Sequence, residues 1–345
     1  MGESKLGFEA SLAKDVVDAG RCVGCGACVA VCPYECLTLV EGCPSLVKDC
    51  KSCGLCSQAC PRYNFSHGKM EKFVFGRTRK TEEPFGIYRR LVIAQATDEK
   101  TRRVSQDGGV ATTLLAYAME KGYIDIAVVA GVSEEKPFYP IPKFASNLRE
   151  ILECAGTKYT CSPNTLLLAE AGKEVAEVAF VGTPCQIQAV RKMQAAGLTR
   201  HTGGLNFVIG LMCSRCFTYE GLMESYIHGE KGVDLSEVKK MNIKGKLLVT
   251  TASGVIEMPL AEIKRFHEES CACCGDFSSE LADISVGGLG LDGWTLTVIR
   301  TKKGEELFSG AEQAGFLLSE PLDEEAKANN LLVRLSEKKR KNAIR

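Results

Sequence analysis

No apolar run in the 345 residues approaches the roughly 18 that a helix needs to cross a membrane, the longest being short pieces such as 124–132. A spanning helix is therefore excluded. Charge of one sign is also lacking, since Lys plus Arg and Asp plus Glu each number 43. No global field points to a nucleic acid partner. The opening Met1-Gly2-Glu3 is charged rather than apolar, unlike a secretory signal. This argues for a reducing cytoplasm and against a disulfide framework. No Gly-x-Gly-x-x-Gly follows a strand pattern, so a Rossmann NAD or FAD site is not expected. The composition, 45% hydrophobic and 25% charged, is that of a globular chain with room for a small module and one larger domain.

Cysteine is what the chain has in excess, 18 in all, with ten in the first 60 residues. Eight of those ten form two copies of one spacing. Cys22, Cys25, Cys28 and Cys32 precede Pro33, and Cys50, Cys53, Cys56 and Cys60 precede Pro61. This is the signature of a two-cluster bacterial ferredoxin, in which the fourth cysteine of each run crosses to the other [4Fe-4S] cluster. Cluster one takes Cys22, Cys25, Cys28 and Cys60, and cluster two takes Cys50, Cys53, Cys56 and Cys32. Zinc knuckles rarely place three cysteines in series before Cys-Pro. Cys36 and Cys43 lie outside the pattern and read as small packed residues. Two cubanes at electron-transfer range form a wire, so the protein moves electrons singly. Tolerance of that many cubanes points to an anaerobe.

Residues 1–66 are expected to form the ferredoxin module and 67–86 a linker. From residue 89 the pattern predicts strands over 91–97, 124–132, 175–181, 207–212, 247–251, 284–286 and 296–300, with helices over 110–121 and 186–195. The fold class is therefore mixed α/β, with βαβ units first and more strand later. Residues 87–310 form the larger domain and 311–345 a helical basic tail. That tail carries Lys338, Lys339, Arg340, Lys341 and Arg345, and reads as a solvated face or as a dock for an acidic partner or membrane surface.

A second set of cysteines falls at predicted strand ends and turns: Cys185 in Gly182-Thr183-Pro184-Cys185-Gln186, then Cys213, Cys216, Cys271 and Cys274. Sites in α/β sheets are built at such places. The pairs 213/216 and 271/274 have the layout of a four-cysteine zinc site, so zinc competes here with a third cubane. Cys154, Cys161 and Cys273 read as packing. Gln106-Asp107-Gly108-Gly109 runs straight into a predicted helix, whose first-turn N–H groups would suit an anion, although a glycine helix cap would look similar. Gly156-Thr157-Lys158-Tyr159-Thr160 offers hydroxyls, a cation and an aromatic ring in one loop, as would any polar turn.

These motifs in order, with Ser162-Pro163 after the second loop and Cys271-x2-Cys274-x-Asp276-Phe277 leading into Ala282-Asp283-Ile284-Ser285-Val286-Gly287, resemble the family of β subunits of the coenzyme F420-reducing hydrogenase over residues 87–302. The resemblance implies a third [4Fe-4S] cluster on Cys185, Cys213, Cys271 and Cys274, which leaves Cys216 spare. It implies FAD, with phosphates over Gly108 and Gly109 and a site bounded by Gln106, Thr157, Lys158, Tyr159, Ser162 and Thr183. The implied activity is F420H2 dehydrogenase: hydride passes from reduced coenzyme F420 to FAD and single electrons leave through the clusters, with no side chain acting as acid or base. Arg89, Arg102, Arg103, Lys244 and Lys246 are candidates for the coenzyme's anionic tail. A fused ferredoxin looks most like the electron-input subunit of the archaeal membrane-bound, proton-pumping F420H2 dehydrogenase of methanogenesis, peripheral on the cytoplasmic face. The alternatives are a soluble F420H2:ferredoxin oxidoreductase, a β subunit of a hydrogenase or formate dehydrogenase, and a ferredoxin-like carrier with a flavin-free docking domain. A fused sulfite reductase is set aside, because no siroheme domain follows.

Overall fold

The computed structural model describes residues 6–172, 176–322 and 326–343. In the N-terminal module two short helices, Ala27–Ala30 and Leu55–Ala59, repeat one geometry. Each is entered through a glycine in the left-handed region, Gly26 at φ 86° and Gly54 at φ 74°. Only there can the chain turn sharply enough for the cysteine before the glycine and the one after it to face the same space. A hairpin of β1 (Leu37–Val40) and β2 (Cys43–Leu46) and the helix Glu9–Val17 complete the module. Phe8, Leu12 and Val16 pack there against Cys28, Leu37, Cys56 and Cys60.

The larger body is built on an eight-stranded mixed sheet. Its strands are β3 (Arg90–Ala96), β4 (Ile126–Val132), β5 (Pro140–Ala145), β6 (Val178–Gly182), β7 (Leu205–Leu211), β11 (Ile284–Gly287), β12 (Thr295–Ile299) and β13 (Leu317–Pro321). They lie in the order β13-β3-β12-β11-β7-β6-β4-β5. The β4, β6, β7 and β11 strands run parallel, and β12, β3 and β13 extend the sheet by antiparallel pairing. Alternation by two residues assigns the faces. Val129, Ala179, Val181 and Ile209 join one core with the helix Val110–Glu120, while Val128, Phe180 and Val208 join the other with the helix Pro184–Ala195. Cys25, Ala27, Val31 and Ala59 of the ferredoxin module belong to that second core. The module is therefore part of the interior rather than a tethered appendage.

A separate three-stranded antiparallel sheet, β8 (Lys240–Ile243), β9 (Lys246–Thr250) and β10 (Val255–Pro259), packs with the helix Glu220–Glu230 in a third core.

The mixed α/β expectation matches this architecture, with differences in detail. The 67–86 segment holds a helix, His67–Phe75, and Arg79 beyond it pairs with Glu71 and Glu280. It is a packed strap, since Glu71 and Glu280 are buried and need the guanidinium. The tail is not only helical, for β13 pairs with β3 before the helix Lys327–Asn342. The basic end of that helix is not simply a solvated face. Lys339 Nζ donates to Cys213 O at 2.6 Å, and Arg340 donates to Glu280 at 2.6 Å, whereas Lys338 and Lys341 are exposed. Val175 and Arg345 lie outside the described residues. Among the described residues no helix is long and apolar enough to cross a membrane.

Candidate iron–sulfur and cofactor site

One cavity in the ferredoxin module is lined by Cys22, Cys25, Cys28 and Cys60, together with Arg62 and apolar residues such as Leu12 and Val16. The other four cysteines gather separately, Cys56 having Cys50, Cys53 and Cys32 as its electrostatic neighbours. These are the two crossed sets read from the spacing. Backbone N–H groups point at the sulfurs: Phe8 and Ser52 donate to Cys50 Sγ at 3.4 Å, Cys36 to Cys32 Sγ at 3.3 Å, and Arg62 to Cys60 Sγ at 3.4 Å. Burial pushes the thiols of Cys22, Cys25 and Cys56 up to about 12. Metal uptake must therefore release protons, because thiolates are the ligands. Cys36 is buried and donates to Asp49 O at 3.2 Å, in keeping with a packing role.

The β3, β11, β7, β6 and β4 strands point the same way, so the loops that follow them share one end of the sheet. Thr183 and Cys185 follow β6, where Thr183 N–H donates to Gln186 Oε1 at 3.1 Å and caps the helix Pro184–Ala195. Cys213 follows β7, and its N–H donates to Phe277 O at 2.9 Å. This ties it to the turn that carries Cys271 and Cys274. The neighbours of Cys185 are Arg62, Cys274 and Cys25, and those of Lys339 are Cys213, Cys274, Asp276 and Cys271. Four late cysteines thus surround one region between the buried Arg62 and the half-buried Lys339.

Cys216 is the hub of the sulfur contacts, reaching Cys161, Cys213 and Cys271. Its S–H pulls the Cys271 thiol down to about 6 and lowers Cys213 as well, while Cys216 itself is raised. Cys216 is thus the donor among these thiols, and Cys271 is the most readily deprotonated of them. Cys161, read as packing, sits at the site as well. Cys154 packs in the first core. A zinc–thiolate tetrahedron with bonds of about 2.3 Å sets its sulfurs about 3.8 Å apart. Among the described residues, the one trio of ligand atoms all within 4.8 Å of one another is His67, Glu71 and Glu280. No three of the late sulfurs, nor three of the ferredoxin ones, lie within 4.8 Å of one another among the described residues.

The Gln106–Gly109 loop lies at the same sheet end. Gly108 is there for close packing, because a Cβ would lie 2.4 Å from Ala94 O, and its N–H is committed to Thr295 Oγ1 at 3.0 Å. Gly109, at φ 74°, turns the chain into the helix Val110–Glu120, and its N–H bonds Gln106 O. The N–H groups free for an anion are thus those of the first turn after the glycines. Gln106 gives the clearest sign of a ligand: its Nε2 and Oε1 are both buried without a partner, and Thr160 Oγ1 is likewise orphaned. Such groups are costly unless something fills the space. The residues therefore fit a polar cofactor at this loop.

The other expected cofactor residues divide. Tyr159 Oη accepts from Ile243 N–H at 3.0 Å, and burial raises its pKa. It sits between Asp107 and Cys213, linking the two halves of the site. Thr157 is half-buried in the same loop. Ser162 Oγ is hydrogen-bonded to Asn164 Oδ1 at 2.6 Å, and Thr183 Oγ1 lies 3.2 Å from Cys185 Sγ. Lys158 differs from the expectation. It caps the helix Leu148–Glu153, donating to Cys154 O at 2.6 Å and Gly156 O at 3.1 Å, and burial lowers it to about 8. With Ala155 O at 3.3 Å as the third acceptor, no donor is left for a phosphate.

Among the candidate tail-binding cations, Lys244 reaches the site, 3.7 Å from the Asp107 carboxylate. Arg89, Arg103 and Lys246 pair with Glu305, Glu99 and Glu257, and Arg102 bonds the carbonyl of Thr97 at 2.8 Å. Sequence reasoning missed Lys240, which donates to Ser105 O at 2.6 Å, and Arg62 and Lys339 among the cysteines. A lysine two strand positions before Asn242 and four before Lys244 was the available signal for Lys240.

This geometry defines an iron–sulfur electron-transfer protein of the oxidoreductase type. Residues 91–169 match the model of the coenzyme F420 hydrogenase/dehydrogenase beta subunit N-terminal region, 175–325 its C-terminal region, and 15–38 a 4Fe-4S binding domain. The chain belongs to the family of coenzyme F420 hydrogenase/dehydrogenase beta subunits. It is 36% identical to the coenzyme F420 hydrogenase subunit beta of Methanothermobacter thermautotrophicus, over 75% of this chain and 93% of the relative. It is 28% identical to a subunit of the F420H2 dehydrogenase of Methanosarcina mazei, over 89% of this chain and 87% of that one. A chain of the F420-reducing [NiFe] hydrogenase complex from Methanosarcina barkeri shares the fold with a TM-score of 0.71 and 37% identity, over 75% of this chain and 91% of that chain.

Proposed function

We propose that the protein oxidises reduced coenzyme F420 and passes the electrons singly through three iron–sulfur sites to an acceptor. The observation that carries this reading is the docking of the ferredoxin module. Cys25 of the first cavity is a neighbour of Cys185, and Thr165 Oγ1 donates to Cys25 O. The Cys25 loop is held so closely that a Cβ on Gly26 would lie 2.7 Å from Leu166 Cγ. Electrons entering at the late cysteines thus have the first ferredoxin cavity directly beside them.

The ligand roles are Cys22, Cys25, Cys28 and Cys60 for one cluster, Cys50, Cys53, Cys56 and Cys32 for the next, and Cys185, Cys213, Cys271 and Cys274 for the third. Gln106, the first turn of the helix Val110–Glu120, Thr157, Tyr159 and Thr183 bound the space for FAD, with Lys240 and Lys244 beside it. A bound flavin supplies the exchange between a hydride and single electrons that neither a deazaflavin nor a cubane performs alone. The protein's residues position the partners and exclude water.

The role we favour is electron input to a membrane-bound, proton-pumping F420H2 dehydrogenase, supported by the similarity to a subunit of an F420H2 dehydrogenase along nearly the whole chain. The test is anaerobic purification with iron and flavin counts and an optical assay of reduced coenzyme F420 against a viologen dye. Turnover with about twelve iron atoms, as three cubanes require, and one FAD is expected. About eight iron atoms without flavin or turnover would leave a two-cluster carrier.

A further inference from the structure

Arg62 is a buried side chain that the proposed electron path does not use. It follows Cys60-Pro61 and is 8% exposed. It lines the cavity of Cys22, Cys25, Cys28 and Cys60 and also has Cys185 and Cys274 as neighbours. Its position is therefore between the first ferredoxin site and the late cysteines. Its Nη1 donates to Gln188 Oε1 at 3.5 Å, the Cys274 sulfur lies within hydrogen-bonding reach of the guanidinium, and Gln188 Nε2 in turn donates to Asp276 Oδ2 at 3.3 Å. Nε and Nη2 are buried with no partner.

A guanidinium in the interior with two idle donors is costly unless sulfur or another acceptor completes it. Other buried arginines have their donors filled. Arg191, on the neighbouring helix, lies 2.9 Å from Asp283, and Arg300 donates to Ser285 Oγ at 2.7 Å, Ile87 O at 2.9 Å and Ser278 O at 3.0 Å. No carboxylate bonds Arg62. The groups around it are thiols.

We propose that Arg62 is a positioning residue for electron transfer, a fixed cation that donates its idle N–H groups to sulfur at the junction and sets how an electron divides between the late site and the first ferredoxin site. This rests on the three-cluster reading above. In the step itself the late site is oxidised by one electron and the ferredoxin site is reduced by one. No proton moves, because the guanidinium stays charged throughout. Hydrogen bonds and positive charge at cluster sulfurs favour the reduced state.

The test is an EPR-monitored redox titration of the anaerobically purified full chain, with iron counts, for wild type, Arg62→Met and Arg62→Lys. In Arg62→Met with full iron, we expect at least a tenfold change in one-electron occupancy at one of the two junction sites, in the oxidised direction, which is 59 mV for one electron. Arg62→Lys should fall between, and the cluster on Cys50, Cys53, Cys56 and Cys32 should not move. Unchanged midpoints in Arg62→Met with full iron would overturn the proposal. If Arg62→Met loses iron, Gln188→Leu replaces it: this variant keeps the cation and removes its anchor, and its junction midpoints should shift, unchanged ones again being fatal. A wild-type protein with about eight iron atoms, the content of two cubanes, would overturn the three-cluster reading and this proposal with it. That outcome is distinct from a twelve-iron protein indifferent to Arg62.

Discussion

Replacing Lys192 with methionine probes the docking of the ferredoxin module most directly. Lys192, on the helix Pro184–Ala195, sends its ammonium to three carbonyls of the module: Ser57 O at 3.1 Å, Cys60 O at 2.8 Å and Tyr63 O at 2.6 Å. Methionine fills nearly the same volume and donates nothing. Hydrogen bonds from a charged group contribute about 1.5–3 kcal/mol each, so their gross loss is about 4–9 kcal/mol. Burial opposes this, as the lowered pKa of Lys192 indicates, and relief of that desolvation returns part of the loss. A net weakening of about 3 kcal/mol is expected, more than a hundredfold in the local opening equilibrium. Hydrogen exchange under anaerobic conditions is the assay, read at the amides of residues 56–63 and at those of β7. The first group should lose protection in the variant and the second should not. Equal protection in both proteins would show that the apolar contacts of Ala27, Val31 and Ala59 hold the module alone, and would refute the reasoning.

Two further outcomes follow from the cofactor loop. Gly108→Ala places a methyl 2.4 Å from Ala94 O and 2.9 Å from Thr295 N, both backbone atoms that cannot turn aside. A loss of about 3 kcal/mol in chemical denaturation is expected. It should exceed that of Gly109→Ala, where the cost is left-handed backbone strain of about 1–2 kcal/mol. Lys158 has a folded pKa of about 8 against 10.5 when free, so between those values the unfolded chain binds more protons. Stability should rise with pH across that window on its account. The difference in denaturant midpoint between wild type and Lys158→Met should change in the wild type's favour from about pH 8 upward, and a pH-independent difference would refute the assignment.

Spacing made the grouping of the ferredoxin cysteines legible, because a motif of fixed separations along a tight loop is local. Strands in the sheet were legible for a similar reason: runs such as Ala127 to Val129 and Val178 to Gly182 are apolar on both faces, as buried parallel strands must be. The β13 strand and the helix His67–Phe75 were not, since Leu317–Pro321 has exposed positions and the helix is short, with Lys69, Glu71 and Lys72 among its apolar residues, and each is held by what it pairs with or packs against. At the cofactor loop the motif was visible but its parts were not. The glycines, expected to cradle a phosphate, serve backbone packing, and Lys158 serves as a cap, while the orphaned amide of Gln106 carries the stronger sign of a ligand.

The sequence by itself determined the iron chemistry, the mixed α/β class and the place of the late cysteines at strand ends, all of which depend on residue type and short-range spacing. Only the tertiary structure decided which sites adjoin. Cys25 meets Cys185 across 160 residues of chain, and Lys339 returns from the far end to Cys213. Arg62 becomes the cation between them for the same reason. Such adjacencies are set by the order of strands in the sheet and by the burial of one module against another, and no local pattern encodes either.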